Sequence, residues 1–568
     1  MIKEIVVRGN ERVQSEAIRA AMRSAEGRPY IESELERDRQ SLYNLGVFKD
    51  VKIFGRPLND TEVQVIVDVA ENPVIKEISV IGNSVIKTED ILKVVTQQKD
   101  QLLNLNSRRP TADAIRALYD SKGYFAEVDF PTNPDQPGSM VIMVIETTVN
   151  DIVITGLTRT RKRVLDRLIK TEIGKPLNEV TWANDFRRVN STQWFERVQP
   201  GIRPAQEIGK VDLLLDLKET RTARFDVGVA LDPRSKLAGT FRISDTNFRG
   251  QGQTFGASLQ QDTFGSGASA TLDFTDPFYD RFDTTMTAQV YSRVNNYFAD
   301  FGTGSSLNSD ERFDERRTGA SLSFTRPIKG IDFTLGTQFD TVEAVNLSLR
   351  NPTYVRQDGQ VTKFLIQASR DRRDVPLDPF EGDYFRASIE PGISKINKIG
   401  GEVASYTDAL GTNSFMRTTV EYKAFFSKRP ADRRKLSDPR PVLATRARFG
   451  TITGTVPFYE QLFVGGSDSL RGYPDQRFWG KTALSGSLEM RIPAPGTDAL
   501  TMVGFIDYGG AWGGYSGIST FDQSSAFKMH LGYGAGLGFR TPLGLIRVDF
   551  GFTPEGKSRT HFTVGGTF

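Results

Sequence analysis

The residues with most scope for chemistry are Arg471, inside the stretch FVGGSDSLRGYPDQRFWG at 463–480, and two carboxylates that follow it, Glu489 and Asp507. A carboxylate pair can divide acid and base roles, as in glycoside hydrolysis. An arginine close by argues for the other use, because a planar guanidinium binds a carboxylate through two parallel hydrogen bonds. Other chemistries find little support. Two histidines, His530 and His561, are too few for a Ser-His-Asp set or a histidine metal site, and with no cysteine there is neither a disulfide nor a thiolate site. The ladder Gly532-x-Gly534-x-Gly536-x-Gly538 has the spacing of one strand face, with no helix after it to make a phosphate loop. The basic run Arg159–Arg163 sits where a helix starts and reads as a solvated helix end. With 73 Lys and Arg against 70 Asp and Glu, the net charge of +3 does not suit a nucleic-acid binder. No catalytic residue, cofactor or metal is expected, and the protein reads as a non-enzyme.

The elements that must position Arg471, Glu489 and Asp507 are strands. From residue 220 to the end, Gly, aromatics and period-2 alternation dominate, as in Phe225/Val227/Val229/Leu231 and Leu484/Gly486/Leu488/Met490/Ile492. Sixteen alternating segments can be placed between 223 and 568, among them 361–370, 383–391, 481–492, 500–508 and 560–568. No run of about 18 apolar residues provides a membrane helix, yet an even number of short alternating strands suits a membrane barrel. Short turns such as Pro327–Gly330 and Thr541-Pro542 alternate with long connections at 295–315, 341–360, 392–414, 451–480 and 509–529; the basic 427–440 connection breaks the rule. Short connections mark the periplasmic rim and long ones the outer rim. The Arg471 stretch then belongs to an outer loop between strands 11 and 12, with Gly465, Gly466 and Gly472 permitting a re-entrant backbone. Glu489 shares strand parity with Ser485 and Arg491, and Asp507 with Thr501, so both acids face the lumen. A simple hairpin register sets them about four residues apart, so Arg471 need not bridge both.

Before residue 220 the chain repeats. Ile5-Val6-Val7-Arg8-Gly9-Asn10 returns at Ile78–Asn83 and Ile152–Leu157, a period of about 74. A second signature, Leu42 to Val51 with Gly46 and Phe48, returns at Leu118–Val128 with Gly123 and Phe125; the third copy, Val189–Val198, has Gln193 in place of the glycine. Ile18, Met22, Leu35 and Leu42 have helical spacing, and each unit closes on an alternating strand: Val63/Val65/Val67/Val69, Val141/Met143/Ile145 and Val211/Leu213/Leu215/Leu217. The order is strand, helix, helix, strand, strand, with modules at 1–72, 73–148 and 149–219 before the barrel at 220–568. No signal peptide precedes Ile2, so the sequence reads as a mature or trimmed form.

This repeat resembles the POTRA module, and the whole chain resembles the BamA/TamA superfamily of outer-membrane protein assembly factors. Leu470-Arg471-Gly472-Tyr473 is similar to the loop-six motif of that family, and Phe505-x-Asp507-x-Gly509 to its inward strand motif. The resemblance implies α+β tandem POTRA repeats followed by an all-β 16-stranded antiparallel transmembrane barrel in the outer membrane, with the modules in the periplasm. It further implies that loop six enters the lumen and that Arg471 meets Glu489 and Asp507. The last residues, His561–Phe568, resemble the C-terminal signal of outer-membrane barrels. Gly565-Gly566 either weakens the last strand, so that the seam with the first strand opens as a lateral gate, or relieves crowding at barrel closure. The gate residues on this reading are Phe225, Val227 and Val229 against Phe562, Val564, Gly565, Gly566 and Phe568.

The expected function is insertion of client barrels by an assembly factor of this type. Its partners would be unfolded outer-membrane client proteins, outer-membrane lipid and accessory periplasmic or lipoprotein subunits, but no nucleic acid. The POTRA sheet edges either bind client strands or act as spacers. The alternative is a polypeptide-secretion channel or passive pore of the same architecture. If Arg471 and Asp507 form a simple pair, Asp507→Arg abolishes function and Arg471→Asp restores it, which an insertion assay of the single and double variants checks.

Overall fold

The computed structural model describes residues 1–132, 135–232, 236–262, 268–298, 312–345, 354–376, 378–401, 403–427, 440–495, 497, 499–515, 526–541 and 544–564. It divides into two units, 1–220 and 221–568. In the first unit each repeat has the expected order. The first repeat comprises β1 (Ile2–Arg8), α1 (Ser15–Ala20), α2 (Glu32–Tyr43), β2 (Phe48–Pro57) and β3 (Val63–Glu71). The second comprises β4 (Glu77–Ile81), α3 (Thr88–Val94), α4 (Arg108–Asp120), β5 (Ala126–Asp129) and β6 (Ser139–Glu146). The third comprises β7 (Thr148–Thr155), α5 (Lys162–Leu168), α6 (Glu179–Ser191), β8 (Phe195–Pro204) and β9 (Lys210–Glu219). In every sheet the closing strand lies in the middle, parallel to the first strand and antiparallel to the second.

The repeated glycine has a steric cause. Gly9, Gly82 and Gly156 have φ of +81°, +85° and +82°, and a Cβ on them would lie 2.0, 2.1 and 1.7 Å from the carbonyl oxygens of Val69, Val144 and Leu217 on the central strand. No side chain fits there. The turn that follows is held by a carboxylate that closes each central strand. Glu71 accepts from the N–H groups of Glu11, Arg12 and Val13, Glu146 from those of Ser84 and Val85, and Glu219 from those of Arg159 and Thr160. Gln193, where the third copy lost its glycine, still adopts φ +57°. The other two copies of that position join modules: the Gly46 carbonyl accepts from Leu105 N–H at 2.9 Å, and the Gly123 carbonyl from Glu179 N–H at 2.8 Å.

Ile18, Met22, Leu35 and Leu42 are buried with Val65, Val67 and Val69 in the first core. In the second module the expected face is inverted: Met140, Ile142 and Val144 form the core, and Val141, Met143 and Ile145 are half-buried. The run from Met140 to Ile145 is apolar at both parities, so alternation alone could not set its phase; packing against α3 and α4 does.

The second unit is one antiparallel sheet of sixteen strands. It runs through β10 (Ala223–Asp232), β11 (Lys236–Phe248), β12 (Gln253–Asp262), β13 (Ala268–Asp276), β14 (Thr285–Phe298), β15 (Arg312–Ile328), β16 (Ile331–Val345), β17 (Val355–Asp371), β18 (Gly382–Gly401), β19 (Gly411–Ser427) and β20 (Val442–Gly454). Two short strands, β21 (Leu462–Val464) and β22 (Phe478–Gly480), pair with each other in the next connection. The sheet resumes with β23 (Thr482–Pro493), β24 (Leu500–Trp512), β25 (His530–Thr541), β26 (Gly544–Phe552) and β27 (Ser558–Val564). Cα atoms of β10 and β27 come within 8 Å, which closes the barrel, yet no ladder joins these two strands among the described residues.

The outer face carries the apolar half of the alternation. Phe225 and Val227 are 63% and 72% exposed, and Leu259, Leu335, Ile366 and Ile506 all exceed half exposure. So much apolar surface turned outward while charges fill the interior is the inverse of a water-soluble fold and suits lipid. β17 and β18 run well past the expected 361–370 and 383–391, so much of 341–360 and 392–414 is strand rather than loop. Alternation fades beyond the apolar band, where neither face is lipid, while the ladder continues. Gly565, Gly566 and Phe568 lie outside the described residues, as do the side chains of Val229 and Val564 and most of the 427–440 connection.

The capping carboxylates make the modules acid-sensitive. Burial acts to raise the Glu219 pKa; hydrogen bonds from the Thr158 and Thr160 hydroxyls and from the Thr160 and Arg159 N–H groups outweigh it and hold the group at about 2. A folded value below the unfolded one stabilises at neutral pH, and the gain is lost as pH falls from about 4.5 towards about 2. Glu219→Gln should therefore cost the third module about 1 kcal/mol at pH 7, with the deficit shrinking over that acid window. Hydrogen exchange at Arg159 and Thr160 in the full chain measures it; an unchanged exchange rate at pH 7 would refute it.

Candidate functional site

The connection between β20 and β23 turns back into the barrel, and its tip is buried. Arg471 is 3% exposed, Leu470 is fully buried against Val464, Ala483 and Ala511, and Gly472 has φ +95° where a Cβ would lie 2.9 Å from the Phe552 carbonyl oxygen. Tyr473 stacks edge-on against Phe478 and His530, and its hydroxyl donates to Glu555 at 3.4 Å. The tip is pinched by paired backbone hydrogen bonds between Gly466 and Leu470.

Arg471 reaches more partners than the sequence suggested. Its Nε and Nη2 donate to the two oxygens of Asp507, each at 2.7 Å, and its backbone N–H donates to the same carboxylate at 3.0 Å. Its Nη1 donates to Glu489 at 2.8 Å and to Asp549 at 3.2 Å. The guanidinium carbon lies 3.5 Å from the Phe505 ring centroid, so the aromatic of the Phe505-x-Asp507 motif forms the floor of the site. Both acids face inward as expected, but their offset is two residues, since Ser487 pairs with Asp507 and Glu489 with Phe505. The hairpin closes later than its proline-rich turn implied, with Ala494 N–H still bonded to the Leu500 carbonyl. That shift brings both carboxylates within reach of one guanidinium.

Glu489 is the hub of a wider network. Arg547 on β26 donates to both of its oxygens at 2.8 and 2.6 Å, and Arg491 Nε donates at 2.8 Å. Arg547 also donates to Asp549 at 2.8 Å, while Arg491 and Arg540 bind Asp378 from the β17–β18 turn at 3.4 and 2.7 Å. The other arm of loop six is tied across the lumen. Glu460, 1% exposed, accepts from Arg317 of β15 at 2.9 Å, Lys363 of β17 at 3.3 Å and Arg417 of β19 at 2.5 Å. Asp549, Arg547, Asp378 and Glu460 were not legible as site residues. Strand parity could have placed Arg547 and Asp549 in the lumen, but only the folded loop brings them to Arg471.

The glycine ladder of β25 also belongs to this site. A Cβ on Gly532 would lie 2.0 Å from the Arg471 carbonyl, and one on Gly551 of β26 2.3 Å from Gly472 N. These side-chain-free positions form the slot in which the loop tip lies.

The cluster overturns the simple charge swap. Aspartate at 471 would face Glu489 and Asp549 whatever stood at 507. Asp507→Arg with Arg471→Asp should thus stay as defective as either single variant, with loop six open to protease in all three while the barrel remains folded. Recovered protection in the double variant would show an isolated pair instead. Removing one partner of such a buried cluster costs about 3–5 kcal/mol.

The Omp85 superfamily domain matches residues 247–568, and the POTRA family, described as a surface antigen variable number repeat, matches 1–72, 73–146 and 147–220. The chain is 23% identical over 527 residues to the outer membrane protein assembly factor BamA of Nitratidesulfovibrio vulgaris, covering 86% of this chain and 61% of that protein. It is 23% identical over 495 residues to the chloroplastic outer envelope protein 80 of Arabidopsis thaliana, covering 82% and 63%. It thus spans about six-tenths of the length of these relatives. Among solved structures, BamA from Haemophilus ducreyi lacking POTRA domains 1–3 aligns with TM-score 0.57 at 16% identity over 87% of this chain and 99% of that one. CdiB from Escherichia coli aligns with TM-score 0.53 at 15% identity over 94% and 97%. The sixteen-stranded barrel, its three POTRA repeats and these likenesses make the chain a member of the Omp85 superfamily, a non-enzymatic outer-membrane protein with periplasmic POTRA modules.

Proposed function

We propose that this protein is an insertase for outer-membrane β-barrel proteins, working through a lateral gate between β10 and β27. The observation that carries the reading is the seam itself: two neighbouring strands with no backbone ladder among the described residues, in a sheet whose every other neighbour pair has one. Unpaired N–H and C=O groups facing hydrocarbon cost several kcal/mol each, so such an edge has a strong tendency to accept a further strand. Phe225, Val227 and Phe562 point outward along the seam, where an incoming strand and lipid would meet them. The reaction needs no bond chemistry. The client's own ladder formation and apolar burial drive it, and the gate lowers the barrier.

The Arg471 cluster fits this reading as the fixed part against which the seam moves, with Leu470, Gly472 and Tyr473 seating the tip and Glu489 and Asp507 holding the arginine. The POTRA sheets leave β1 and β2, β4 and β5, and β7 and β8 as edges, to which extended client segments or accessory subunits would add. Relatives named as outer membrane protein assembly factors support the assignment. A secretion channel or passive pore is the second reading, favoured by a cavity of about 490 Å³ beside loop six, lined by Arg317, Lys363, Arg386, Arg417, Glu421 and Arg448.

The cysteine-free chain allows a direct test. One cysteine is placed along Ala223–Asp232 and one along Ser558–Val564, with register adjusted until a disulfide forms. Insertion of a urea-unfolded barrel into proteoliposomes is then timed with the seam locked and reduced. The gate predicts fast insertion only after reduction. Equal rates in both states, with steady ion conductance, would instead favour the channel.

A further inference from the structure

The last strand is tied to loop six by a histidine. Gly472 N–H donates to Nε2 of His561 at 3.1 Å, and His561, on β27, is 7% exposed. Its cross-strand neighbour on β26 is Asp549, a partner of Arg471 and Arg547. The Arg471–Gly472 peptide lies in the slot left by Gly532 and Gly551, so the tip of loop six spans β25 and β26 and ends against the His561 ring.

The residue type fits this place. The surrounding cluster is balanced, with Arg471, Arg491 and Arg547 against Glu489, Asp507 and Asp549. A carboxylate at 561 would compete for Arg471, and a lysine or arginine would repel it. A neutral imidazole supplies an acceptor for the Gly472 N–H without adding charge.

We propose that His561 is the positioning residue that couples the seating of loop six to the last strand, so that the β10–β27 seam opens when the Gly472–His561 hydrogen bond is broken. The proposal rests on the gate reading above for its purpose but not for its physics. Protonation converts Nε2 from acceptor to donor and sets it N–H against N–H with Gly472. It also adds a cation facing Arg559 on its own strand and Arg471 from loop six, with Asp507 of β24 and Asp549 of β26 as the nearby carboxylates. Acid thus loosens β27 from the loop.

The test uses spin labels at Val227→Cys and Phe562→Cys, both outward-facing, in the full chain reconstituted in liposomes, with the seam distance read by pulsed electron paramagnetic resonance. In the parent chain the long-distance fraction should grow as pH falls from about 7.5 to about 4, because a proton on this buried imidazole has to sit beside Arg559 and Arg471. His561→Phe, which keeps a ring but no acceptor, should show about a tenfold larger open-to-closed ratio already at pH 7.5, with loop six still protease-resistant. His561→Gln, which keeps an acceptor but takes up no proton in this range, should match the parent at pH 7.5 and lose the pH response. A pH response retained in His561→Gln overturns the proposal, as does a His561→Phe distance distribution identical to the parent. If His561→Phe fails to fold, the pH profile of His561→Gln decides alone. Because the readout is seam distance, it stands apart from client insertion: a seam that follows His561 in a protein that inserts no clients would sink the insertase reading and leave the coupling intact.

Discussion

The buried guanidinium of Arg471 is the constraint on which the barrel's interior depends. Removing such a charge from water costs several kcal/mol, recovered only if its donors meet acceptors in good geometry. Here Asp507 takes a two-pronged grip, Glu489 and Asp549 take the remaining end, and the Phe505 ring lies beneath, its centroid 3.5 Å from the guanidinium carbon. These acceptors stand on β23, β24 and β26. The loop therefore cannot seat unless three strands already hold the right register, and those strands would enclose uncompensated acids without the loop. Each fixes the other.

The opposite arm follows the same rule with the signs reversed. Glu460 is an acid from the loop held by three cations from the wall, on β15, β17 and β19. Loop six is thus a crossbar anchored at one end by a cation among acids and at the other by an acid among cations. Reversed polarity at the two ends gives the crossbar one way round, because turning it over would bring like charges together at both. Arg491 and Asp378 carry the network on to the β17–β18 turn. The C-terminal strands are in this way held from within, beside a seam where no ladder joins β10 and β27 among the described residues.

Much of this was legible in the residues. Period-2 alternation gave sixteen strands because lipid on one side and water on the other impose opposite chemistry on the two faces. The repeat was legible because Gly9, Gly82 and Gly156 each sit where no Cβ fits. What was lost has specific causes. Met140, Ile142 and Val144 could not be told from Val141, Met143 and Ile145 because both sets are apolar. The two-residue offset of Glu489 and Asp507 depended on where a seven-residue connection closes, which its prolines did not reveal. Asp549, Glu460, Asp378 and His561 take their roles from contacts 43 to 162 residues apart in sequence, among them Arg417 with Glu460 and Arg540 with Asp378, and no local pattern marks such pairings. The carboxylates Glu71, Glu146 and Glu219 recur at the same place in every repeat, a signal that was present but lay outside the glycine signatures.

A seam with no ladder between β10 and β27 among the described residues raises a physical question that the interior answers. In hydrocarbon, two adjacent strands with open backbone groups should pair with each other at once, since each unmet group costs several kcal/mol. Holding β27 from inside changes that balance. Loop six grips β27 through the Gly472–His561 hydrogen bond, so the last strand stays in place beside β10 through contacts made inside the lumen. A barrel stabilised by its lumenal charges as well as by its ladders can keep one edge available without falling apart. The glycine slot at Gly532 and Gly551, which costs strand order locally, is what permits the loop to lie close enough to exert that hold.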